Sequence, residues 1–164
     1  MKLLKVGLTL AVVLLAVNEQ TAQAATATAT LQSKATVNKV CHVSATDMAF
    51  GVYDPSATAH EDTSTVTVRC TKRSPYDVGL DKGANGASVT TRQMSAGGAD
   101  RLNYSLFSEA TRTTNWGDTV GVDTVHIASA TGTPTDHTVY GRVPTGQYVS
   151  AGSYSDTITV TVTY

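Results

Sequence analysis

An apolar/polar alternation of period two recurs through the chain, and no sustained apolar period of 3.6 residues appears between Ala25 and Tyr164. Successive side chains of a β-strand point to opposite faces, whereas a helix returns to one face every three to four residues. The pattern therefore selects half-buried strands and excludes a helical bundle or a coiled coil. It is clearest near the two ends. Residues 25–37 put Ala25, Ala27, Ala29, Leu31, Ser33, Ala35 and Val37 on one face, and Thr26, Thr28, Thr30, Gln32, Lys34 and Thr36 on the other. Residues 156–164 put Ile158, Val160, Val162 and Tyr164 on one face, between threonines.

Composition points the same way. The 164 residues, enough for one ordinary domain, include 28 Thr against 12 Lys+Arg and 13 Asp+Glu. Threonine is β-branched and suits a half-buried sheet. The net charge of -1 gives no electrostatic case for nucleic acid or an anionic membrane.

Met1–Lys5 is a short basic start, Val6–Val17 is almost continuously apolar, and Ala22-Gln23-Ala24 has the A-x-A form. Together these predict a secretory signal peptide over residues 1–24, cleaved after Ala24. The apolar run of 12 residues is shorter than the ~20 that span a bilayer, so no membrane-spanning segment is expected. Without Lys2, Lys5 and Glu19, the exported chain carries 10 positive and 12 negative side chains.

Two cysteines, Cys41 and Cys70, remain in that chain. In an exported protein such a pair reads first as a disulfide. His42 beside Cys41 raises a nucleophile or a metal ligand as the rival, but neighbours in a strand face opposite ways, which suits a Cys-His dyad poorly.

Strand candidates follow one another between turn residues: residues 35–43 around Cys41, Thr63–Cys70, Tyr76–Leu80, Leu102–Leu106, Val125–Ile127, Val139–Val143 and residues 156–164. Asn85-Gly86 and Gly97-Gly98 are turn chemistry. About seven short strands with such spacing predict an all-β sandwich. Residues 25–37 read either as a further strand or as a low-complexity linker, since an Ala-Thr repeat can arise from composition alone. A last strand lacking an outer neighbour and a first segment without a place in its own fold suggest subunits that complete each other by β-strand addition. That contact is heterologous and propagates into filaments unless it closes.

Specific motifs then carry a resemblance. Cys41-His42-Val43, Phe50-Gly51-Val52-Tyr53-Asp54-Pro55 and Val66-Thr67-Val68-Arg69-Cys70 resemble the first half of the spore coat protein U domain. Arg101-Leu102-Asn103-Tyr104-Ser105-Leu106-Phe107 and Trp116-Gly117-Asp118 resemble its middle, and Tyr140-Gly141-Arg142-Val143-Pro144, Gln147 and Ala151–Tyr164 its end. The family includes subunits of Csu-type pili of the archaic chaperone–usher class.

The resemblance implies an incomplete immunoglobulin-like β-sandwich, completed by a donor strand from another subunit or from a periplasmic chaperone. It further implies an outer-membrane usher, a cell-surface fimbria or spore coat, and residues 38–164 as the pilin domain. The donor maps to Ala27, Ala29, Leu31, Ser33, Ala35 and Val37 within residues 25–37, and the disulfide to Cys41 and Cys70. One groove wall would be the last strand, with Ile158, Val160, Val162 and Tyr164; the other would be the first strand, around Ala35–Val43. Thirteen extended residues reach about 43 Å. The Ala-rich donor face departs from expectation, because each missing methylene forgoes roughly 0.8 kcal/mol of burial. A single domain with its own donor fits a polymerising shaft subunit better than a tip adhesin.

No enzyme constellation assembles, so no catalytic residue and no cofactor are expected. His42, His60, His126 and His137 lack metal-ligand spacing, and Asp77 and Asp81 are not part of an EF-hand-like run. Gly152-Ser153-Tyr154 lacks the closing Gly of a nucleophile elbow, and the sequon Asn103-Tyr104-Ser105 falls in a predicted strand. Two alternatives to a fibre subunit stand: a non-fibrous spore-coat component, or a monomeric carbohydrate- or surface-binding module using the Trp116 loop.

Overall fold

The computed structural model describes residues 22–164. Most of the expected signal peptide, residues 1–21, lies outside the described residues. The chain divides into residues 1–35 and a compact body over residues 36–164. Residues 22–35 have no regular secondary structure, and Leu31 is 92 % exposed.

The body contains eight strands and, among the described residues, no helix. They are β1 (Cys41–Ala45), β2 (His60–Cys70), β3 (Tyr76–Leu80), β4 (Arg92–Ser95), β5 (Arg101–Phe107), β6 (Val125–Ile127), β7 (Thr135–Val143) and β8 (Val160–Thr163). One sheet has the order β1-β2-β7-β5-β4 and the other β6-β3-β8, and every neighbouring pair is antiparallel. The inward faces of both sheets form the core: Val66, Val68 and Cys70 of β2, Tyr76, Val78 and Leu80 of β3, Leu102, Tyr104 and Leu106 of β5, and Val139 and Val143 of β7. This is the predicted alternation at work, one side chain in two going inward.

Two core residues come from outside the alternation. Trp116 is buried in the loop after β5, where its Nε1 donates to the carbonyl of Val78 at 2.8 Å. Arg92, fully buried, donates from Nη2 to the carbonyls of Leu80 and Trp116, both at 2.7 Å, and from Nε to that of Asp81 at 2.8 Å. Gly79 permits the close approach of this loop, since a Cβ there would lie 3.0 Å from the Cα of Asp118.

The first strand, the last strand and β4 depart from expectation. The first strand begins at Cys41 rather than near Ala35, because its partner β2 ends at Cys70. Beyond that point Val40 bonds to Thr71, whose amide donates to the Val40 carbonyl at 2.9 Å and whose Oγ1 takes the Val40 amide at 3.0 Å. The last strand covers Val160–Thr163 rather than residues 156–164, because β3 ends at Leu80 and the Asp81 carboxylate takes over, accepting the Thr159 amide at 2.9 Å. Strand β4 went unforeseen because its buried leading residue is an arginine.

Candidate acceptor groove

Strand β1 ends the five-stranded sheet and β8 ends the three-stranded one, and among the described residues no strand pairs with the outer edge of either. Unpaired strand edges of this kind are docking templates. Between Ala45, at the end of β1, and Val160, at the start of β8, lies a cavity of about 640 Å³ whose floor is the core itself: Val66, Leu80, Leu106 and Val139. Past β1 the wall continues as Thr46–Phe50, and the facing wall is Tyr154–Ile158 leading into Val160. A second cavity of about 880 Å³ shares Met48, Phe50, Met94 and Tyr154 with the first and runs on toward Leu102 and Val143.

The walls are held by polar contacts. Met48 and Phe50 cover Gly141 of β7, where a Cβ would lie 2.7 Å from the Phe50 ring. Nearby, the Asp62 carboxylate accepts the Ala49 amide at 2.8 Å. On the other side Asp156 Oδ1 accepts the amides of Ala84 and Asn85 at 2.9 and 3.3 Å and Asn85 Nδ2 at 3.0 Å. Its Oδ2 takes the Tyr104 hydroxyl. Burial, and then the hydrogen bond to Asp156, push the Tyr104 phenol well above its ordinary pKa, so it stays a neutral donor.

The expected site residues divide. Cys41 and Cys70 are register partners on β1 and β2 and form a disulfide, with Cα atoms 4.0 Å apart. Ile158 and Val160 line the first cavity, Val162 is half-buried opposite Val78, and Tyr164 follows β8 and is 53 % exposed. Ala27, Ala29, Leu31, Ser33, Ala35 and Val37 are all exposed and lie outside any strand. Sequence reasoning missed the Thr46–Phe50 wall; the alternating Met48 and Phe50 were its only signal.

The groups set aside as chemistry are structural. Tyr76 Oη lies 3.0 Å from Nε2 of His137, and burial pushes the His137 imidazole below its usual pKa. His126 meets Asp77 at 3.2 Å, and His60 Nε2 accepts the Asp54 amide at 3.1 Å. Among the described residues no three His, Cys, Asp or Glu side chains could hold a metal ion. Trp116 is only 1 % exposed and offers no aromatic face to a ligand.

An all-β, incomplete immunoglobulin-like sandwich, open between the segment that follows its first strand and the segment that leads into its last, is the class of fold on view. Its likeness extends to a chain in the crystal structure of the CsuC–CsuE chaperone–tip adhesion subunit pre-assembly complex from archaic chaperone–usher Csu pili of Acinetobacter baumannii, with a TM-score of 0.57 and 22 % identity. That match covers 79 % of this chain but only 40 % of the other, and it is one of fold. In sequence, the chain is 35 % identical over 159 residues to Protein U of Myxococcus xanthus, covering 87 % of this chain and 88 % of that protein. Residues 27–161 match the Spore Coat Protein U domain, and the chain belongs to that family.

Proposed function

We propose that the chain is an exported structural subunit that polymerises by donor-strand exchange, residues 25–37 of one copy entering the groove of the next. Residues 1–24 act as the signal peptide and residues 38–164 as the pilin domain. A periplasmic chaperone fills the groove before assembly, and an outer-membrane usher passes the subunit to the growing fibre. The product is a surface pilus or a coat, serving adhesion, biofilm formation or spore protection, with no catalytic step.

One observation carries this reading: free edges of β1 and β8 flank an opening onto the apolar core, in a chain that also holds an exposed, alternating segment. Main-chain hydrogen bonds to both edges would supply affinity, and inward side chains would replace water on Val66, Leu80, Leu106 and Val139. The family's description favours a second reading, a coat component that assembles without forming fibres.

The test compares the exported chain with one lacking residues 25–37, each run boiled and unboiled on a denaturing gel. A ladder that collapses on boiling and vanishes with the deletion supports strand exchange. A full-length chain that stays monomeric with its chaperone and usher present refutes it. Fibres in negative-stain micrographs separate pilus from non-fibrous coat.

A further inference from the structure

We propose that Asn85 is a self-modification site, its carboxamide attacked by the amide nitrogen of Gly86, and that the Asp156 carboxylate gates the reaction. The site stands whether or not the chain polymerises.

Asn85 is the only asparagine of the sequence that is followed by glycine. With no Cβ beside it, a glycine nitrogen is unhindered, and an Asn-Gly pair closes readily to a five-membered imide. The Gly86 nitrogen bonds to Cγ of Asn85, the Cγ–Nδ2 bond breaks, and Nδ2 leaves as ammonia with the proton that Gly86 gives up. Solvent water then opens one carbonyl of the imide and leaves an aspartyl or isoaspartyl residue at position 85. Neither a redox partner nor a cofactor enters the balance.

The fold pins both reactants. Asp156 Oδ1 accepts Asn85 Nδ2 at 3.0 Å, the Asn85 amide at 3.3 Å and the Ala84 amide at 2.9 Å. Gly86 is buried, and its carbonyl takes Lys82 Nζ at 2.8 Å. A Cβ on Gly86 would lie 3.0 Å from the Cα of Arg92, so its backbone has little room to turn. Closing the imide moves both the carboxamide and the backbone of Asn85, and the bonds to Asp156 must go first. Asp156 itself sits between Ser155 and Thr159, outside β8. That segment is held by the Tyr104 hydroxyl on Oδ2 at 2.7 Å, by Ser155 bonding to Ser95 at 2.9 and 3.1 Å, and by the Thr159 amide on Asp81 at 2.9 Å. A short tether of this kind opens at lower cost than the core. When it lifts, Asp156 leaves and the imide can close. The product then sets a carboxylate where Asp156 met a donor, and like charges oppose re-docking.

Peptide mapping by mass spectrometry reads the conversion at position 85 with time, in mildly alkaline buffer, for the exported full-length chain both folded and reduced in urea. The expected result is conversion in the unfolded chain and a folded rate at least about tenfold lower. Tyr104→Phe should raise the folded rate by about tenfold or more, because Asp156 loses a charge-assisted bond. Ile127→Ala, in β6 on the far side of β3 from β8, destabilises the fold without touching Asp156 and should leave the folded rate unchanged. No conversion in the unfolded chain overturns the site, and equal rates in folded and unfolded chains overturn the pinning. A Tyr104→Phe rate no higher than that of the unsubstituted chain, or no higher than that of Ile127→Ala, overturns Asp156 as the gate. If Tyr104→Phe does not fold, Asp156→Asn takes its place with the same expectation. Asn85→Asp reads the product: amide exchange across residues 155–159 should quicken, and unchanged exchange overturns the one-way opening.

Discussion

The Tyr104 hydroxyl donates to Asp156 Oδ2 at 2.7 Å, tying the buried face of β5 to the segment that leads into β8. Tyr104→Phe removes that donor and leaves a half-buried carboxylate oxygen unpaired. The expected cost is about 1–3 kcal/mol in equilibrium urea unfolding, together with a weaker polymer ladder, because the β8 wall loses its anchor.

Acid should loosen the same wall. For Asp81, burial raises the carboxyl pKa, but hydrogen bonds from the Thr159 and Gly83 amides and from the Thr159 hydroxyl, with the Arg92 charge, outweigh it and leave the group below its ordinary 3.8. Glu109 is drawn from 4.5 down to about 2, chiefly by the Thr113 and Thr114 hydroxyls. Both folded values lie below the unfolded ones, so their stabilisation is whole above pH 4.5 and fades as pH falls, that of Glu109 being lost through about 2. Calorimetric Tm should fall over that interval. Asp81→Asn should lower Tm at neutral pH and flatten the acid slope.

The Cys41–Cys70 bond closes a loop with a sequence separation of 29 and locks β1 onto β2. Replacing both cysteines by Ser should cost roughly 3–4 kcal/mol on the chain-entropy account. Denaturant titration measures this, and amide exchange should show β1 opening before β2.

Gly141→Ala places a methyl group where the Phe50 ring and the Met48 sulfur already sit. The covering segment must lift, at a cost of about 1–3 kcal/mol. Thermal unfolding reports the loss, and the ladder should weaken with it.

If residues 25–37 are the donor, Leu31→Ala removes its largest apolar side chain, worth about 2 kcal/mol once buried in a neighbouring copy. The temperature at which the ladder dissociates should drop. Thr30→Ala, on the outward face, should leave it unchanged.

The strands legible from residue order were those whose inward faces are apolar throughout: Tyr76–Leu80, Arg101–Phe107, Val125–Ile127 and the second half of β2. Strand β4 was illegible because the core there accepts a guanidinium, whose Nε and Nη2 donate to carbonyls of Leu80, Asp81 and Trp116 brought from distant parts of the chain. Residue order likewise carried the cysteine pair. It could not carry the opening itself. An edge is free only when partners run out, and that depends on where β2 and β3 end, at Cys70 and Leu80, and on which strands the two sheets leave outermost. The Thr46–Phe50 wall has the same origin: Met48 and Phe50 line the opening because Gly141, 93 residues beyond Met48, leaves room above β7 for them to settle. Alternation specifies the face a side chain takes, while pairing across the fold specifies which edge meets solvent.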